Sequence, residues 1–265
     1  MIKIKKKIKA SVLIANYNNE RFLKQCLNSI FNQTYKNIEV IVFDDGSSDN
    51  SVKKLKKVKN IILLTNNKKK SIHGCYNQIN AYKKAFEKSS GDIIFFLDSD
   101  DFFVKNKIEN LINFFNKKKK KKIIFDLPII IKKNKKRKVS NNFFFFKTYW
   151  PYIPPQSCIS IERKIFPKLL SKIQIKGFPD IWLDFRIAIF SKYILKDFCI
   201  FNKNLTFYRK IYGNVSSNFK YLGTSWWQRR FQAHKFVISF FKINKIKHNK
   251  NYDFFLTKTI NNILN

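Results

Sequence analysis

Two carboxylates stand at the end of an apolar run, because Asp98 and Asp100, separated by Ser99, directly follow residues 93–97. In an extended segment, side chains two positions apart project toward the same side. The two carboxylates can therefore hold one divalent cation, which would neutralise a diphosphate and stabilise it as a leaving group. An acidic surface turn is the plainer alternative. The apolar strand before the pair, and the presence of only 17 acidic against 54 basic residues, favour the metal site.

A second polar cluster, Asp44-Asp45-Gly46-Ser47, follows the largely β-branched run 38–43. A carboxylate at the end of a strand can accept a hydrogen bond from an N–H group on the edge of a nucleotide base. Gly46 permits a positive φ angle, so the backbone can turn sharply there. An ordinary strand-to-helix turn with capping residues is the alternative, and the cluster alone does not decide between the two.

The elements that must position these acids alternate between strand and helix patterns over the first 115 residues. Apolar runs predict strands at 8–14, 38–43, 60–64 and 93–97, and helical spacing predicts helices at about 20–32, 50–57 and 72–88. Gly91 is expected at the C-cap of the third helix. This alternation predicts an α/β fold with a mainly parallel sheet and helices on both faces. Ligands of such sheets bind at the carboxyl ends of the strands, so both acidic clusters should lie at that edge.

The second half of the chain is less regular. A strand is predicted at 123–125, a hairpin tip at 134–138 and an aromatic, proline-punctuated stretch at 143–155. Further helices are predicted at about 180–191 and 221–241, with a short one at the end of the sequence. No internal repeat is present in the sequence.

Composition narrows the class of protein. The chain has 265 residues, 45% of them hydrophobic, enough for one large domain or for one domain with an appended lobe. No apolar run is long enough to predict a membrane-spanning helix, and the basic start is a poor secretory signal. The four cysteines form no C-x-x-C pair and the three histidines are isolated, so a carboxylate-bound Mg²⁺ or Mn²⁺ is the expected metal.

The net charge of +37 suggests a nucleic-acid binder at first sight. The basic residues are mostly lysine, however, and the chain is also rich in Asn, Ile and Phe, which share A/T-rich codons. Genome composition therefore accounts for much of the bias, and no specific nucleic-acid partner is expected. The excess charge should still attract phosphorylated or membrane-surface anions in a salt-dependent way.

Several linked motifs resemble family 2 of glycosyltransferases, which has the GT-A fold. These are the loop Ala15-Asn16-Tyr17-Asn18, the stretch from Gln33 to Asp49, and the stretch from Leu97 to Asp101. They occur in the family's order and at its separations over about 100 residues. The first loop has Ala15 where the family usually has proline, which costs loop rigidity but no chemical group.

The resemblance implies roles for the matched positions. Asp98 and Asp100 would hold Mn²⁺ or Mg²⁺ beside the diphosphate, and Asp44 would contact a uracil-type base edge. Asn77 matches the asparagine of the family's R-N-x-G segment, but Tyr76 replaces the arginine, which leaves a phosphate or sugar contact open. The implied nucleotide-sugar-binding residues are Ala15, Asn16, Tyr17, Asn18, Asp44, Asp45, Gly46, Ser47, Asn77, Asp98 and Ser99.

The family's catalytic base is usually the aspartate of an E-D segment six residues before an arginine. Asp180, six residues before Arg186, matches it, with Pro179 in place of the glutamate at an expected helix start. A helix-capping acid is the alternative role for Asp180. Asp184, one turn later, is the rival for the base, although a structural ion pair with Arg186 or a lysine suits it better. The segment ending in Arg209 also resembles the family, and Arg209 would either reach a phosphate or anchor the lobe.

The sequence as a whole predicts an inverting, metal-dependent transferase that moves sugar from a nucleoside diphosphate-sugar, expected to be a UDP-sugar, to a hydroxyl of a glycan or lipid-linked acceptor. Residues 1–215 would form the GT-A domain, with a nucleotide-sugar half at about 8–115 and an acceptor half at about 116–215. Residues 216–265 would be a C-terminal helical extension. A cytoplasmic protein is expected, with peripheral contact at the anionic inner face of the plasma membrane.

Two alternatives belong to other classes. A sugar nucleotidyltransferase would normally carry a glycine-rich loop after the first strand, and residues 15–18 contain no glycine. A basic, non-enzymatic binder of RNA or anionic membrane would leave the ordered acidic motifs unexplained.

Overall fold

The computed structural model describes residues 7–67, 71–133, 135–140, 148–211, 220–249 and 251–264. Within these residues nine strands form one sheet. They are β1 (Ala10–Asn16), β2 (Ile38–Asp44), β3 (Ile62–Thr65), β4 (Ile93–Asp98), β5 (Phe102–Phe103), β6 (Ile123–Lys132), β7 (Lys135–Lys138), β8 (Ile159–Glu162) and β9 (Ile200–Arg209). The helices are α1 (Glu20–Phe31), α2 (Ser51–Leu55), α3 (Gly74–Glu87), α4 (Lys107–Lys117), α5 (Phe166–Ile173), α6 (Leu183–Tyr193), α7 (Thr224–Ile243) and α8 (Tyr252–Leu264).

The sheet has the strand order β3-β2-β1-β4-β8-β6-β9-β5, and β7 pairs with β6 outside that path. The first four strands are mutually parallel, as the strand–helix alternation predicts. Strand β8 runs antiparallel to both β4 and β6, whereas β9 is parallel to β6. The predicted α/β fold with a mainly parallel first half is confirmed, and the second half continues the same sheet in mixed directions.

Each face of the sheet is covered by its own hydrophobic cluster, because successive side chains of a strand point to opposite faces. Leu13 and Phe96 belong to the cluster that includes residues of α3, α5, α6 and α7. Val12 and Phe95, their neighbours in sequence, belong to the cluster that includes residues of α1, α2 and α4. Because α7 packs into the same cluster as the sheet, the C-terminal segment shares a core with the strands. The predicted division near residue 215 stays a prediction.

Several predicted boundaries need correction. Helix α3 ends at Glu87 with Lys88 as its C-cap, so Gly91 is not the cap. Gly91 instead lies against β1, where an added Cβ would stand 2.4 Å from the Ser11 Oγ atom. Residues 135–138 form a strand rather than a hairpin tip. Residues 1–6 at the basic start, Asn134, and residues 143–147 of the predicted aromatic stretch at 143–155 lie outside the described residues.

A fully buried ion pair between Lys107 of α4 and Asp126 of β6 connects this helix to the sheet. The Lys107 Nζ atom lies 2.8 Å from Asp126 Oδ2, and both side chains have no exposed surface. Lys107 also donates to the Ser157 carbonyl at 2.6 Å and to the Thr206 hydroxyl at 2.7 Å. Thr206 in turn donates to Asp126 Oδ1 at 2.7 Å. These contacts join α4, β6, β9 and the turn that contains Ser157, so the pair is a cross-link within the core.

We expect Lys107→Met to lower the free energy of unfolding by about 3–5 kcal/mol, because it leaves the Asp126 carboxylate buried without its cation. The double variant Lys107→Met/Asp126→Leu should recover part of that loss, since it removes both charges. Urea unfolding of the three proteins measures the difference. A single variant as stable as the wild type would contradict this account of the pair.

Candidate functional site

The two acidic clusters meet at one edge of the sheet. In the parallel pairing of β1 with β2, Asn16 stands opposite Asp44, and in the pairing of β1 with β4, Ala15 stands opposite Asp98. The Ser99 N–H group donates to the Ala15 carbonyl at 3.1 Å, which ties the loop after β4 to the end of β1. Asp44 and Asp98 therefore flank the carboxyl end of the same strand, as the α/β pattern predicts.

Asp44 organises the first two loops of the site. Its carboxylate has no exposed surface and accepts hydrogen bonds from Asn16 Nδ2 at 2.6 Å and from the Ser47 N–H and hydroxyl groups at 2.8 and 2.7 Å. Ser47 Oγ also accepts from the Asn18 N–H group at 2.9 Å. Gly46 has a φ of +68°, the left-handed turn that its lack of a side chain allows. Asp44 thus holds the two loops together, and its contact with a base edge stays a prediction.

The accessible side chains of these loops lie beside Asp44. Asp45 is half-buried, and its Oδ1 atom accepts a hydrogen bond from Asn66 Nδ2 at 2.7 Å. Tyr17 is 51% exposed, so its ring presents a flat aromatic surface to the solvent. These two groups are therefore better placed than Asp44 to meet a ligand in this arrangement of the loops.

Asp98 is held by donors that the sequence analysis missed. Its Oδ1 atom accepts from Gln78 Nε2 at 2.8 Å, from the Tyr82 hydroxyl at 2.7 Å and from Gln156 Nε2 at 3.4 Å. Gln78 and Tyr82 are four residues apart on α3, so they lie on one face of the helix. The four-residue spacing of these two polar side chains was the signal in the sequence that could have identified them as partners of one acid. Burial, and the negative charge of Asp100, raise the pKa of Asp98 to about 7.

Asp101 and Arg209 hold the loop after β4 in place through hydrogen bonds. Asp101 is almost fully buried and accepts from the Ser157 hydroxyl at 2.6 Å and from the Arg209 N–H group at 2.8 Å. The Arg209 guanidinium donates to the Asp100 carbonyl and to Gln25. It also lies 4.7 Å from the ring centroids of Phe22 and Phe102. Arg209 therefore anchors this loop, and its contact with a phosphate stays a prediction.

The donor set at the end of β4 fits a hard divalent cation. Asp98 and Asp100 supply carboxylate oxygens, and no donor from the described residues reaches Asp98 Oδ2. Nowhere in the described ranges do three His, Cys, Asp or Glu residues come together as a complete metal site. Mg²⁺ commonly takes one or two carboxylates and completes its shell with water and substrate phosphates. Ser99 is buried and accepts from Asn19 Nδ2 at 2.9 Å, so its hydroxyl belongs to the loop scaffold.

The predicted base lies in a turn, not in a helix. Helix α6 begins at Leu183, so Pro179 and Asp180 precede it. The Asp180 side chain is 49% exposed, and its two carboxylate oxygens lie 3.0 and 3.1 Å from the Nδ1 atom of His73. His73 is isolated in the sequence, but the fold brings it to Asp180 across 107 positions of the chain.

Arg186 and Asn77 support the segments around this pair. Arg186 donates to the carbonyls of Ile173, Ile181 and Phe178, so it holds the turn that carries Asp180. Asn77 Nδ2 donates to the Ser71 carbonyl at 2.7 Å, and Asn77 Oδ1 accepts from the Ser71 N–H group at 3.2 Å. The Asn77 amide is thus engaged with its own chain, and its contact with phosphate or sugar stays a prediction.

The rival acid, Asp184, is half-buried in the first turn of α6. Its Oδ1 atom accepts from the Phe185 N–H group at 2.7 Å, and burial raises the pKa of Asp184 to about 6. Arg186 makes its hydrogen bonds to backbone carbonyls, so the ion pair between Asp184 and Arg186 that the sequence suggested is not what holds this arginine. Asp180 is the more accessible of the two acids.

The chain belongs to glycosyl transferase family 2, whose model matches residues 11–182. An uncharacterized glycosyltransferase of Haemophilus influenzae is 40% identical over 106 residues, which are 39% of this chain and 41% of that relative. An Escherichia coli protein named UDP-Glc:alpha-D-GlcNAc-diphosphoundecaprenol beta-1,3-glucosyltransferase WfaP is 40% identical over 106 residues, 39% of this chain and 40% of WfaP. The match therefore spans about two fifths of the length of these relatives.

Solved structures share the fold at low sequence identity. Residues 1–349 of S. aureus TarS, in complex with UDP-GlcNAc, superpose with a TM-score of 0.64 at 15% identity, over 97% of this chain and 71% of that one. The Pyrobaculum calidifontis mannosyltransferase PcManGT, in complex with GDP-Man and Mn²⁺, gives 0.57 at 13% identity, over 97% and 70%. The resemblance to family 2 and the GT-A fold that it implies are both confirmed.

We expect Asp98→Asn to stabilise the metal-free protein by about 1 kcal/mol at pH 8, because it removes a crowded, buried charge while keeping the side-chain shape. Folding raises the pKa of Asp98 from an ordinary 3.8 to about 7. The stability that Asp98 contributes is thus fully present below pH 3.8 and lost as the pH rises through 7. The advantage of the variant should therefore shrink toward pH 4.

Urea unfolding in EDTA at pH 5 and pH 8 measures this difference. Asp92→Asn is the matched control, since it removes a carboxylate of the same sheet from the opposite end of β4. A variant with Asn at 98 that is no more stable than the wild type at pH 8 would contradict the proposed crowding.

Proposed function

We propose that this protein is an inverting glycosyltransferase that transfers sugar from a UDP-sugar to a hydroxyl group, with a divalent cation at Asp98 and Asp100. The observation that carries the proposal is the position of α3. Gln78 and Tyr82 of this helix bind Asp98, and His73, the residue at its N-terminal end, binds Asp180. Five residues of helix span about 7.5 Å, so one rigid element spaces the donor-side acids from the predicted base.

The donor would lie at the sheet edge between the loops after β1, β2 and β4. The nucleoside would meet Tyr17 and the segment from Asp44 to Ser47, and the diphosphate would face Asp98 and Asp100. The bound cation would neutralise the negative charge that develops on the departing phosphate oxygen. Family membership supports this placement, as does the register that sets Asp44 and Asp98 on either side of β1.

Asp180 would act as the general base. Its carboxylate takes the proton of the acceptor hydroxyl while that oxygen forms a bond to the anomeric carbon. The bond from the anomeric carbon to the phosphate oxygen breaks on the opposite side, and its electron pair leaves with UDP. Attack opposite to the leaving group inverts the anomeric configuration. The half-exposed position of Asp180 supports this role, because an acceptor can reach the carboxylate.

The acceptor is proposed to be a lipid-linked glycan. The name of WfaP, which is 40% identical over 106 residues, includes a UDP-Glc donor and a diphosphoundecaprenol-linked acceptor. Helix α8 presents apolar side chains to solvent, with Tyr252 77%, Phe255 54% and Ile263 76% exposed. An exposed apolar face on a chain of net charge +37 suits the surface of an anionic membrane, and we propose peripheral contact at the cytoplasmic side.

No helix within the described ranges is both long and apolar enough to cross a lipid bilayer.

We expect Asp100→Ala and Asp180→Asn each to lower turnover of a UDP-sugar by roughly 10²–10⁴-fold, since one removes a cation ligand and the other the general base. The measurement is release of UDP from UDP-glucose, UDP-galactose and UDP-GlcNAc with Mn²⁺ or Mg²⁺, which needs no acceptor other than water. Glu87→Gln is the control, because Glu87 lies in an exposed pair with Lys84. Near wild-type rates in both aspartate variants would reject the site, and release of pyrophosphate would favour a nucleotidyltransferase.

We expect the protein to float with vesicles that contain phosphatidylglycerol and to dissociate as the salt concentration rises, because screening weakens attraction between exposed charges. The double variant Phe255→Ser/Ile263→Ser should reduce flotation several-fold, since it removes two of the exposed apolar side chains of α8. Asn262→Ser on the same helix is the control. Equal flotation of all three proteins would show that α8 does not contact the membrane.

A further inference from the structure

Asp180 needs a fixed direction and a negative charge to act as a base, yet it lies in a turn with half of its side chain exposed. We propose that His73 is the positioning residue of Asp180: its Nδ1–H group holds the carboxylate in a fixed direction toward the acceptor proton. The inference rests on the proposed function, because it assigns the partner of the proposed base. His73 lies outside the donor-binding motifs and about 27 residues beyond the second acidic cluster.

The hydrogen bond is shared between both carboxylate oxygens. The His73 Nδ1 atom lies 3.0 Å from Asp180 Oδ1 and 3.1 Å from Asp180 Oδ2. An ionised carboxylate only accepts hydrogen bonds, so the ring nitrogen that faces it must be the donor. A donor placed between the two oxygens fixes the plane of the carboxylate. It also leaves lone pairs on each oxygen for a second partner on the exposed side.

The backbone of His73 is fixed by its neighbours. The His73 N–H group donates to Ser71 Oγ at 3.2 Å, and the His73 carbonyl accepts from the Asn77 N–H group at 3.1 Å. The Asn77 side chain closes the same turn through both polar groups of the Ser71 backbone. His73 therefore begins α3 from a hydrogen-bonded turn, and its ring approaches Asp180 from a fixed point. Asn77, whose sequence motif suggested ligand contact, closes this turn in the structure.

Other charged groups near Asp180 do not replace His73. Arg229 of α7 donates to the Asp180 backbone carbonyl at 3.4 Å and stacks with its guanidinium 3.0 Å from the centroid of the Trp182 ring. Arg229 also approaches the Cys75 sulfur at 3.8 Å. In the part of the chain that the structure describes, His73 is the side chain that hydrogen-bonds the Asp180 carboxylate. Arg229 thus supports the backbone of the turn, and His73 orients the acid.

The proton balance of this arrangement is simple. The acceptor hydroxyl loses its proton to the Asp180 carboxylate, and His73 keeps its Nδ1 proton before and after that transfer. The hydrogen bond to the carboxylate is charge-assisted, so it holds the Asp180 side chain more firmly than a bond between neutral groups would. Removal of the imidazole should therefore slow the chemical step more than it weakens donor binding.

The first test compares His73→Ala, His73→Asn and Asp180→Asn in UDP release from UDP-glucose, UDP-galactose or UDP-GlcNAc with Mn²⁺. An asparagine amide can place its N–H₂ group near the position of Nδ1, whereas alanine cannot donate. We expect kcat to fall roughly tenfold or more in His73→Ala with KM for the UDP-sugar nearly unchanged, and to stay within about threefold of wild type in His73→Asn. Asp180→Asn should lose most activity.

The outcomes distinguish the positioning role of His73 from the proposed role of Asp180 as the base. If Asp180→Asn is inactive and His73→Ala is fully active, the positioning role is wrong and the proposed base stands. If Asp180→Asn is active, or if the wild type releases UDP from none of the three donors, both fall. A loss of kcat in His73→Ala that His73→Asn restores supports the inference.

A second measurement needs no turnover and covers the case in which His73→Ala fails to fold. The chain contains three histidines, so ¹⁵N spectra of histidine-labelled protein are simple, and His73→Asn identifies the His73 signals. At pH 8 we expect the wild-type His73 ring to carry its proton on Nδ1, against the usual preference of free imidazole for the other nitrogen. Asp180→Ala should return it to the usual tautomer. A wild-type ring that is protonated on Nε2 would overturn the proposal.

Discussion

Three acidic side chains, Asp98, Asp100 and Asp101, lie close together at the end of β4. Keeping their negative charges there has an electrostatic cost, and the second half of the sheet supplies groups that offset it. Asp98 receives three donors from α3 and the turn at 156–158, and Asp101 receives the Ser157 hydroxyl and the Arg209 N–H group. Ser157 is itself held through its carbonyl by the buried Lys107. One cross-linked core thus supports a loop that carries three crowded carboxylates.

The proposed donor side, formed by the loops after β1, β2 and β4, could be predicted from the sequence because it depends on short-range patterns of residues. Apolar strands that end in Asp44 and Asp98 must bring those residues to one sheet edge when the strands are parallel, and the register across β1 does so. The same argument gave the helices on both faces, since each strand alternates between two clusters. Short-range patterns therefore carried the fold and half of the candidate site.

The other half of the candidate site, around His73 and Asp180, depends on contacts between residues far apart in the sequence. No periodic pattern of residues predicts such contacts. His73 and Asp180 are 107 positions apart, and nothing in the segment around His73 marks it as the partner of Asp180. Gly91 was misread for a related reason. Its position after a helix suggested a cap, whereas the close approach of Ser11 from β1 is what excludes a side chain there. Lys107 likewise resembles one of many surface lysines until the fold buries it beside Asp126.

Helix α7 ties the last quarter of the chain to the turn that carries Asp180. Arg229 holds the carbonyl of Asp180 and lies flat on Trp182, and the apolar side chains of α7 belong to the same cluster as the sheet. The family match ends at residue 182, short of this helix. A chimera that joined the family-matched residues 11–182 to another relative's C-terminal segment would thus exchange the support beneath the proposed base. Under the proposed function, divergence in that segment offers evolution a way to change the acceptor while the residues of the proposed donor site stay the same.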